Sequence, residues 1–282
     1  MPAPVSTAPV PPVPAAPAST ASAPSPALPT ATLRALYRHP VKGLSPEAVE
    51  AVTLEAGAFF PGDRLYAVEN GPSGFDADAP AHRPKTAYLM LMRNARLAGL
   101  ASRYEPATAT LTLSLDGHEA VSADLSTADG RAEVEAFLTF YMGEEARGPL
   151  RLLTAPEGFR FMDSRRSGFL SLLNLDSVRD LEARMGAALD PRRFRMNLHL
   201  EGWPAGTELA LEGQRLTVGA AEIAVLKRTE RCAAVNVNPQ TAARDLNVVK
   251  GLMAAYGHTD CGIYAKVVRS GRVAVGDTVA LA

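Results

Sequence analysis

The sequence predicts an α+β fold, predominantly β: two β-rich units, the first barrel-like, with helices interposed. Short β-prone runs broken by turn residues dominate from residue 31 onward. Apolar residues recur at helical spacing in only a few stretches. A composition break also sets the N-terminus apart. Residues 1–30 hold 10 of the 22 prolines and 8 alanines and no Asp, Glu, Lys or Arg, the first charge being Arg34. The remaining ~250 residues suffice for one large or two medium cores.

Residues 1–30 read as a disordered, polyproline-like arm, because frequent proline removes backbone donors and the small side chains leave nothing to bury. Strand-like runs follow at Ala31 to Val41, Ala48 to Phe60 and Arg64 to Val68. Lys42–Gly43, Ser45–Pro46 and Pro61–Gly62–Asp63 mark the turns between them. Leu111 to Leu115 alternates Leu with Thr and Ser, and Asp116–Gly117 turns the chain toward Glu119 to Leu125, a hairpin signature. Strands this short and this closely spaced suit a small barrel or sandwich. Val134, Phe137, Leu138 and Tyr141 then share one helical face. Asn174 is placed to cap a second helix carrying Val178, Leu181 and Met185. A third helix is expected within residues 243–256, with Gly257 as its stop. Further β-runs are Phe194 to Leu200, Leu209 to Leu211, Leu216 to Val218, Glu222 to Leu226, Ala233 to Val237, Ile263 to Val268 and Val273 to Leu281. The last two read as a hairpin turning at Ser270–Gly271. The expected organisation is an arm at 1–30, a first unit at 31–125 and a second at 126–282.

Composition excludes several functions. A net charge of −1 gives no field for sequence-independent binding to nucleic-acid phosphates. No apolar run reaches the ~18 residues of a spanning helix. Two cysteines, Cys232 and Cys261, cannot form a disulfide framework. The N-terminus has neither the basic start and apolar core of a secretory signal nor the arginines of a transit peptide, so a reducing cytoplasm is expected.

Cys232 carries the strongest chemical signal. It ends the run Lys227-Arg228-Thr229-Glu230-Arg231-Cys232, where three cations favour the thiolate, the form that attacks or ligates. The plain alternative is a small buried cysteine beside a solvated charge run. Cys261 and His258, three residues apart, could join Cys232 in a zinc set, but the 29-residue gap between the cysteines is no usual ligand spacing, and a packed loop explains the segment equally well. Lys42 and Arg64 stand beside glycines in turns, where backbone donors can also approach a phosphate; singly, each reads as an exposed cation. In Arg192-Arg193-Phe194-Arg195-Met196-Asn197, Arg193 and Arg195 would share one strand face and suit a bidentate anion contact.

The order of these pieces resembles a known family. Leu36-Tyr37-Arg38-His39-Pro40-Val41-Lys42-Gly43 and Gly62-Asp63-Arg64-Leu65-Tyr66 are similar to the N-terminal β-barrel domain that precedes MOSC domains. Asp190 to Asn197, Glu230-Arg231-Cys232-Ala233 to Pro239, and Gly276-Asp277-Thr278-Val279 resemble the MOSC domain itself. The resemblance implies a β-barrel-like domain followed by a β-barrel MOSC domain, with a molybdenum cofactor (molybdopterin) between them. Cys232 would be the catalytic metal ligand, Lys42, Arg64, Arg195 and Asn197 would hold the pterin and its phosphate, and Arg193 and Arg231 would complete the basic set. Lys227 would help offset the thiolate charge. The implied activity is reduction of small N-oxygenated substrates, as in the amidoxime-reducing and N-hydroxylated-base-reducing relatives. Electrons would come from a separate flavin, ferredoxin or cytochrome-type donor, since the chain ends without the ferredoxin domain of some bacterial relatives. A pyridoxal-phosphate label also travels with the family. The alternatives are a sulfur carrier bearing a Cys232 persulfide and a module that holds the cofactor without turnover. The chain departs from the family at Gly43, where Ser is usual, at Met196, where Pro is usual, and around Arg83, whose surrounding motif is altered.

Overall fold

The computed structural model describes residues 28–163 and 169–282. The arm expected over residues 1–30 lies outside the described residues as far as residue 27. Leu28 packs against the core that follows, and the Pro29 carbonyl accepts from the Trp203 indole at 2.8 Å.

The strands are β1 (Ala31–Arg38), β2 (Glu47–Val49), β3 (Ala51–Leu54), β4 (Tyr66–Asn70), β5 (Leu100–Glu105), β6 (Thr110–Leu115), β7 (His118–Asp124), β8 (Leu150–Thr154), β9 (Leu170–Asn174), β10 (Leu198–Glu201), β11 (Arg215–Val218), β12 (Ala221–Glu230), β13 (Asp260–Arg269), β14 (Gly271–Ala274) and β15 (Thr278–Leu281). The α-helices among the described residues are α1 (Ala128–Met142), α2 (Leu175–Met185) and α3 (Val248–Tyr256). None of them is long and apolar enough to cross a membrane. The chain is predominantly β, as its sequence predicts.

Seven strands close a barrel in the order β1-β10-β9-β13-β12-β11-β15 and back to β1. Every pairing in it is antiparallel except β9–β10, which is parallel. Parallel neighbours need a crossover, and α2 supplies it. Asn174 caps α2 as expected, accepting from the Asp176 amide at 3.1 Å. The barrel interior follows from period-2 alternation: Ala31 and Leu33 of β1, Ile223 and Val225 of β12, and Ile263, Ala265 and Val267 of β13 are all buried, and a register shift between Leu33 and Ala35 brings Leu36 into the same core. Each of the leucine, isoleucine and valine side chains contributes ~1.5–3 kcal/mol of burial. Although β1 opens the chain, it closes this otherwise C-terminal barrel.

A second core gathers Val41, Tyr66, Leu100, Leu111 and Leu113 around Val134, Leu138 and Met142 of α1. Here β5-β6-β7 form a three-stranded sheet and β4 pairs with β8. The predicted hairpin is β6–β7, and the predicted helix is α1, capped by Thr127.

The third helix, Val248–Tyr256, lies within the expected 243–256 and stops at Gly257 as expected. Four local expectations change. Ala233 to Val237 is a 3-10 turn (Ala233–Asn236), and so is most of Leu209 to Leu211 (Thr207–Ala210). β14 does not fold back on β13 at Ser270–Gly271; it pairs with β3, tying the two halves of the chain together. The strand expected from Phe194 begins only at Leu198.

Candidate active site

Loops from both cores meet at one cleft, lined among others by Lys42, Arg64, Arg193, Arg195, Asn197, Arg231 and Cys232. The seven residues that the family resemblance assigns to the metal and cofactor therefore line a common space.

Lys42 follows β1 and is 7% exposed. Its Nζ donates to the Phe161 carbonyl at 3.0 Å and pairs with Asp163. Burial pushes Lys42 below its ordinary pKa against the pull of Asp163. Burial would raise Asp163, but Lys42 outweighs it and holds that carboxyl at about 2. Gly43 has φ of +89°, and a Cβ there would sit 3.0 Å from the Leu89 carbonyl oxygen. The family's usual serine would be strained in this backbone.

Behind the cleft, Arg64 pairs with Asp63, and its Nη2 lies 3.4 Å from the Arg195 carbonyl. Burial opposes the charge on Arg64, but Asp63 outweighs it and the pKa rises. His39 is fully buried, with Nδ1 3.3 Å from both Asp63 Oδ1 and Arg64 Nη1. Burial first, then Arg64 and Arg195, push its pKa down to about 3, so it is neutral.

The basic cluster at 192–195 folds differently from the expected strand. Asp190 caps a 3-10 turn (Pro191–Phe194), accepting from the Arg192 amide at 2.9 Å, and Arg195 ends it with φ of 53°. Arg193 and Arg195 therefore do not alternate on one strand face. Arg193 reaches Asp245 at 2.7 and 2.8 Å and the Asn236 carbonyl at 3.2 Å. Arg195 donates to the Leu44 carbonyl at 2.7 Å. Among the described residues Arg195 has no ion pair, and burial, then Arg64, push it down to about 9. Asn197 joins strands: its Nδ2 donates to the Tyr37 carbonyl at 3.1 Å, and its Oδ1 accepts from the Ser171 amide and hydroxyl at 3.1 and 2.9 Å.

Cys232 is a half-buried free thiol at the start of the Ala233–Asn236 turn. The expected cation run does not converge on it. Arg231 does face the cleft; its guanidinium lies over the Phe194 ring, donates to the Phe194 carbonyl and leaves Nε without a partner among the described residues. Lys227 instead stands over the Tyr264 ring, 5.9 Å from its centroid, and Arg228 donates to the Leu209 carbonyl at 2.7 Å in another cavity. His258 and Cys261 also line that other cavity. Among the described residues no three His, Cys, Asp or Glu side chains gather into a metal-holding group, so Cys232, His258 and Cys261 do not form a zinc set.

Sequence reasoning missed Lys85, Asp163 and Tyr264, which also line the cleft, and an apolar wall of Met90, Leu91, Met92 and Met162. The unusual stretch at 82–86 drew notice for Arg83, yet Arg83 donates to the Gly74 carbonyl and Lys85 faces the cleft. Among the described residues six cations line this space, Lys42, Arg64, Lys85, Arg193, Arg195 and Arg231. Three carboxylates pair with them, Asp163, Asp63 and Asp245, leaving a surplus of three positive charges. A phosphate monoester of about −2 and one thiolate would balance it.

Two domain families match the chain: the MOSC N-terminal beta barrel domain over residues 30–147 and the MOSC domain over residues 165–280. The chain belongs to the MOSC domain-containing proteins, a family linked to molybdenum-cofactor binding. Among solved structures it is similar to the YuaD protein of Bacillus subtilis, at 13% identity and a TM-score of 0.44 over 89% of this chain and 95% of that one. It is also similar to YiiM of Geobacillus stearothermophilus, at 18% identity and a TM-score of 0.34 over 47% of this chain and 67% of that one. YiiM of Escherichia coli gives 21% identity and a TM-score of 0.28 over 40% of this chain and 54% of that one. No curated protein sequence matches the chain.

Proposed function

We propose that the cleft holds a molybdenum cofactor through Cys232 and that the protein reduces small N-oxygenated compounds with electrons from a separate donor protein. The observation that carries the reading is the convergence of one free thiol and an uncompensated set of cations, brought from separate loops, on one space. When bound, the cofactor supplies two-electron oxygen-atom chemistry, and its dithiolene supplies sulfur ligands, so a single protein thiolate completes the donor set.

The chain's own residues divide the work. Lys42, Arg64 and Arg195 bind the cofactor's phosphate, Lys42 and Arg195 being the two whose pKa lies below its ordinary value and which an anion would restore. Arg231, anchored by the Phe194 carbonyl and ring, brings a positive charge to the cleft that Cys232 also lines. His39 and Asp63 fix the Arg64 guanidinium. Asn197 and Arg193 position the turn rather than meet the cofactor, since their polar groups are largely committed to Tyr37, Ser171, Asn236 and Asp245. The Met90–Met92 and Met162 wall excludes water and accepts the apolar part of a small substrate.

The test is metal and pterin content of protein from a cofactor-sufficient host, with Cys232→Ser in parallel. The expected result is molybdenum near one per chain in the wild type, lost in the variant at unchanged thermal stability, with reduction of benzamidoxime when a donor is supplied. Wild-type protein as empty as the variant overturns the reading. A stable added sulfur on Cys232 without pterin fluorescence points instead to a persulfide carrier. Bound cofactor with no turnover from any donor points to a holding module.

A further inference from the structure

The cleft encloses about 100 Å³. Ordinary ligand sites run to ~300–1,000 Å³, so anything beyond a few heavy atoms reaches Cys232 only when the walls part. Whatever holds the walls together therefore decides what enters.

One wall is the segment Met90–Met92, from the N-terminal domain, and the facing one is the turn that opens at Cys232, from the MOSC domain. Among the described residues, the hydrogen bonds that join the Met90–Met92 segment to the Cys232 side all come from Arg244. Its Nη2 donates to the Leu91 and Met92 carbonyls at 2.9 Å each, and its Nη1 donates to the carbonyl of Ala233, next to Cys232, at 3.2 Å. The base of Arg244 is fixed from behind. The neighbouring Asp245 accepts from Arg193 and from Asn238 Nδ2, each at 2.7 Å, and the Asn238 amide donates to the Ala243 carbonyl at 2.8 Å. The wall is held to its own half at Met90, whose amide and carbonyl close a turn with Asn94 at 3.1 and 2.8 Å, and by the Leu91 side chain leaning on the second core. The Leu91 and Met92 carbonyls are left as its polar link across the cleft. The Arg244 guanidinium is exposed, so water competes for its donors and the link can open and reclose. A planar fork serves several carbonyls at once, which an ammonium on a flexible stem does not.

We propose that Arg244 is a positioning residue that clasps the Met90–Met92 wall to the turn at Cys232 and thereby sets the size of molecule that reaches the thiol. Resting on the function proposed above, this makes Arg244 a determinant of substrate size: small N-oxygenated compounds pass, and bulky ones require the clasp to open. The clasp itself belongs to the chain and does not depend on what the cleft binds.

The experiment is alkylation of the full chain, purified from a host that makes no molybdenum cofactor, with N-methylmaleimide and with N-(1-pyrenyl)maleimide. Rates are read as mass gain on each cysteine and normalised to glutathione, so that only access differs between the reagents. Cys232 is the half-buried thiol, and Cys261, at 4% exposure, reports any general loosening. The wild type should label Cys232 with the small reagent and discriminate against the large one. Arg244→Ala, and Arg244→Lys, which keeps the charge without the fork, should each raise the large reagent's rate at Cys232 by about tenfold, the loss of one to two hydrogen bonds of closure. The small reagent's rate should stay within about twofold, and Cys261 should stay unlabelled. No size discrimination in the wild type, wild-type discrimination in either variant, or a matching gain at Cys261 overturns the proposal. Should Arg244→Ala fail to fold, Arg244→Lys alone decides. Because the chain carries no cofactor in this test, a failure of the molybdenum reading leaves these rates unmoved and shows only in metal content.

Discussion

Acid should unfold this protein through two buried histidines before the depressed carboxylates lose their contribution. His39 lies behind the cleft with its pKa held at about 3, and His199 on β10 is held at about 4, both chiefly by burial, against 6.5 in the unfolded chain. Nε2 of each ring is buried with no partner among the described residues, so neither environment welcomes a second proton. A histidine whose folded pKa is depressed contributes full stability above 6.5 and loses it as pH falls from 6.5 toward the folded value. At pH 5 the unfolded state gains about 1.5 log units of proton binding per histidine, which is about 2 kcal/mol each and about 4 kcal/mol together. A typical domain has only ~5–15 kcal/mol to lose. The depressed carboxylates Asp63 and Asp163 have an unfolded value of 3.8 and contribute almost nothing at that pH.

The assay is urea unfolding at pH 7.5 and pH 5.0 at constant ionic strength, for the wild type and for His39→Gln/His199→Gln. The wild type should lose about 4 kcal/mol between the two pH values, and the double variant should lose less than about 1. Glutamine at position 39 can still donate to Asp63, so the variant tests titration more than packing. An equal loss in both proteins refutes the reasoning, because it places the acid sensitivity elsewhere.

Two further outcomes follow from the same geometry. Lys42→Met and Arg195→Gln should each lower molybdenum-cofactor retention by ~10- to 100-fold, the loss of one charge-assisted contact, as read by pterin release during dialysis. The loss should be steeper in low salt than in high salt. Gly262→Ala should destabilise the protein by about 3 kcal/mol in the same unfolding assay. Gly262 has φ of +81°, and a Cβ there would lie 2.5 Å from the Leu172 carbonyl oxygen and 2.6 Å from Met196 Cε, clashing with the backbone that pairs β13 to β9.

What the sequence disclosed depended on how local the cause was. The α1 face, the Asn174 cap and the β6–β7 turn arise within a few residues, and each stands where the pattern puts it. A five-residue strand buried throughout carries no alternation, which is why β9 gives no signal, and β8 alternates only over Leu150, Arg151 and Leu152. The pairing of β14 with β3 joins segments about 220 residues apart, beyond the reach of any window. At the site, residue identities were legible and their partners were not. Lys42 reads as a loop cation, but its burial against Phe161 and Asp163 depends on a loop some 120 residues away. Arg193 and Arg195 were read as strand neighbours because Phe194 alternates with them, yet Asp190 and Pro191 start a turn that overrides the alternation.

The cation run before Cys232 shows why a charge pattern in sequence misplaces a field in space. Lys227 and Arg228 are adjacent on β12, and adjacent strand residues face opposite sides. Lys227 goes to Tyr264 and Arg228 to the second cavity, so the strand itself divides the run before it reaches Cys232. Only Arg231, beyond the end of β12, faces the thiol's side. The positive surroundings of Cys232 are instead assembled from the loop after β1, the segment before β4, the turn before β10 and the segment at Lys85, and Lys42, Arg64 and Arg195 are each held by carbonyl or carboxylate partners. Arg64 and Arg195 both lower the pKa of His39, and Arg64 lowers that of Arg195, so the cleft holds like charges together at a cost. An anion that enters removes that cost, and its binding energy is larger by the same amount. The cations whose like charges oppose one another in the cleft are for that reason the ones with most to gain from a phosphate.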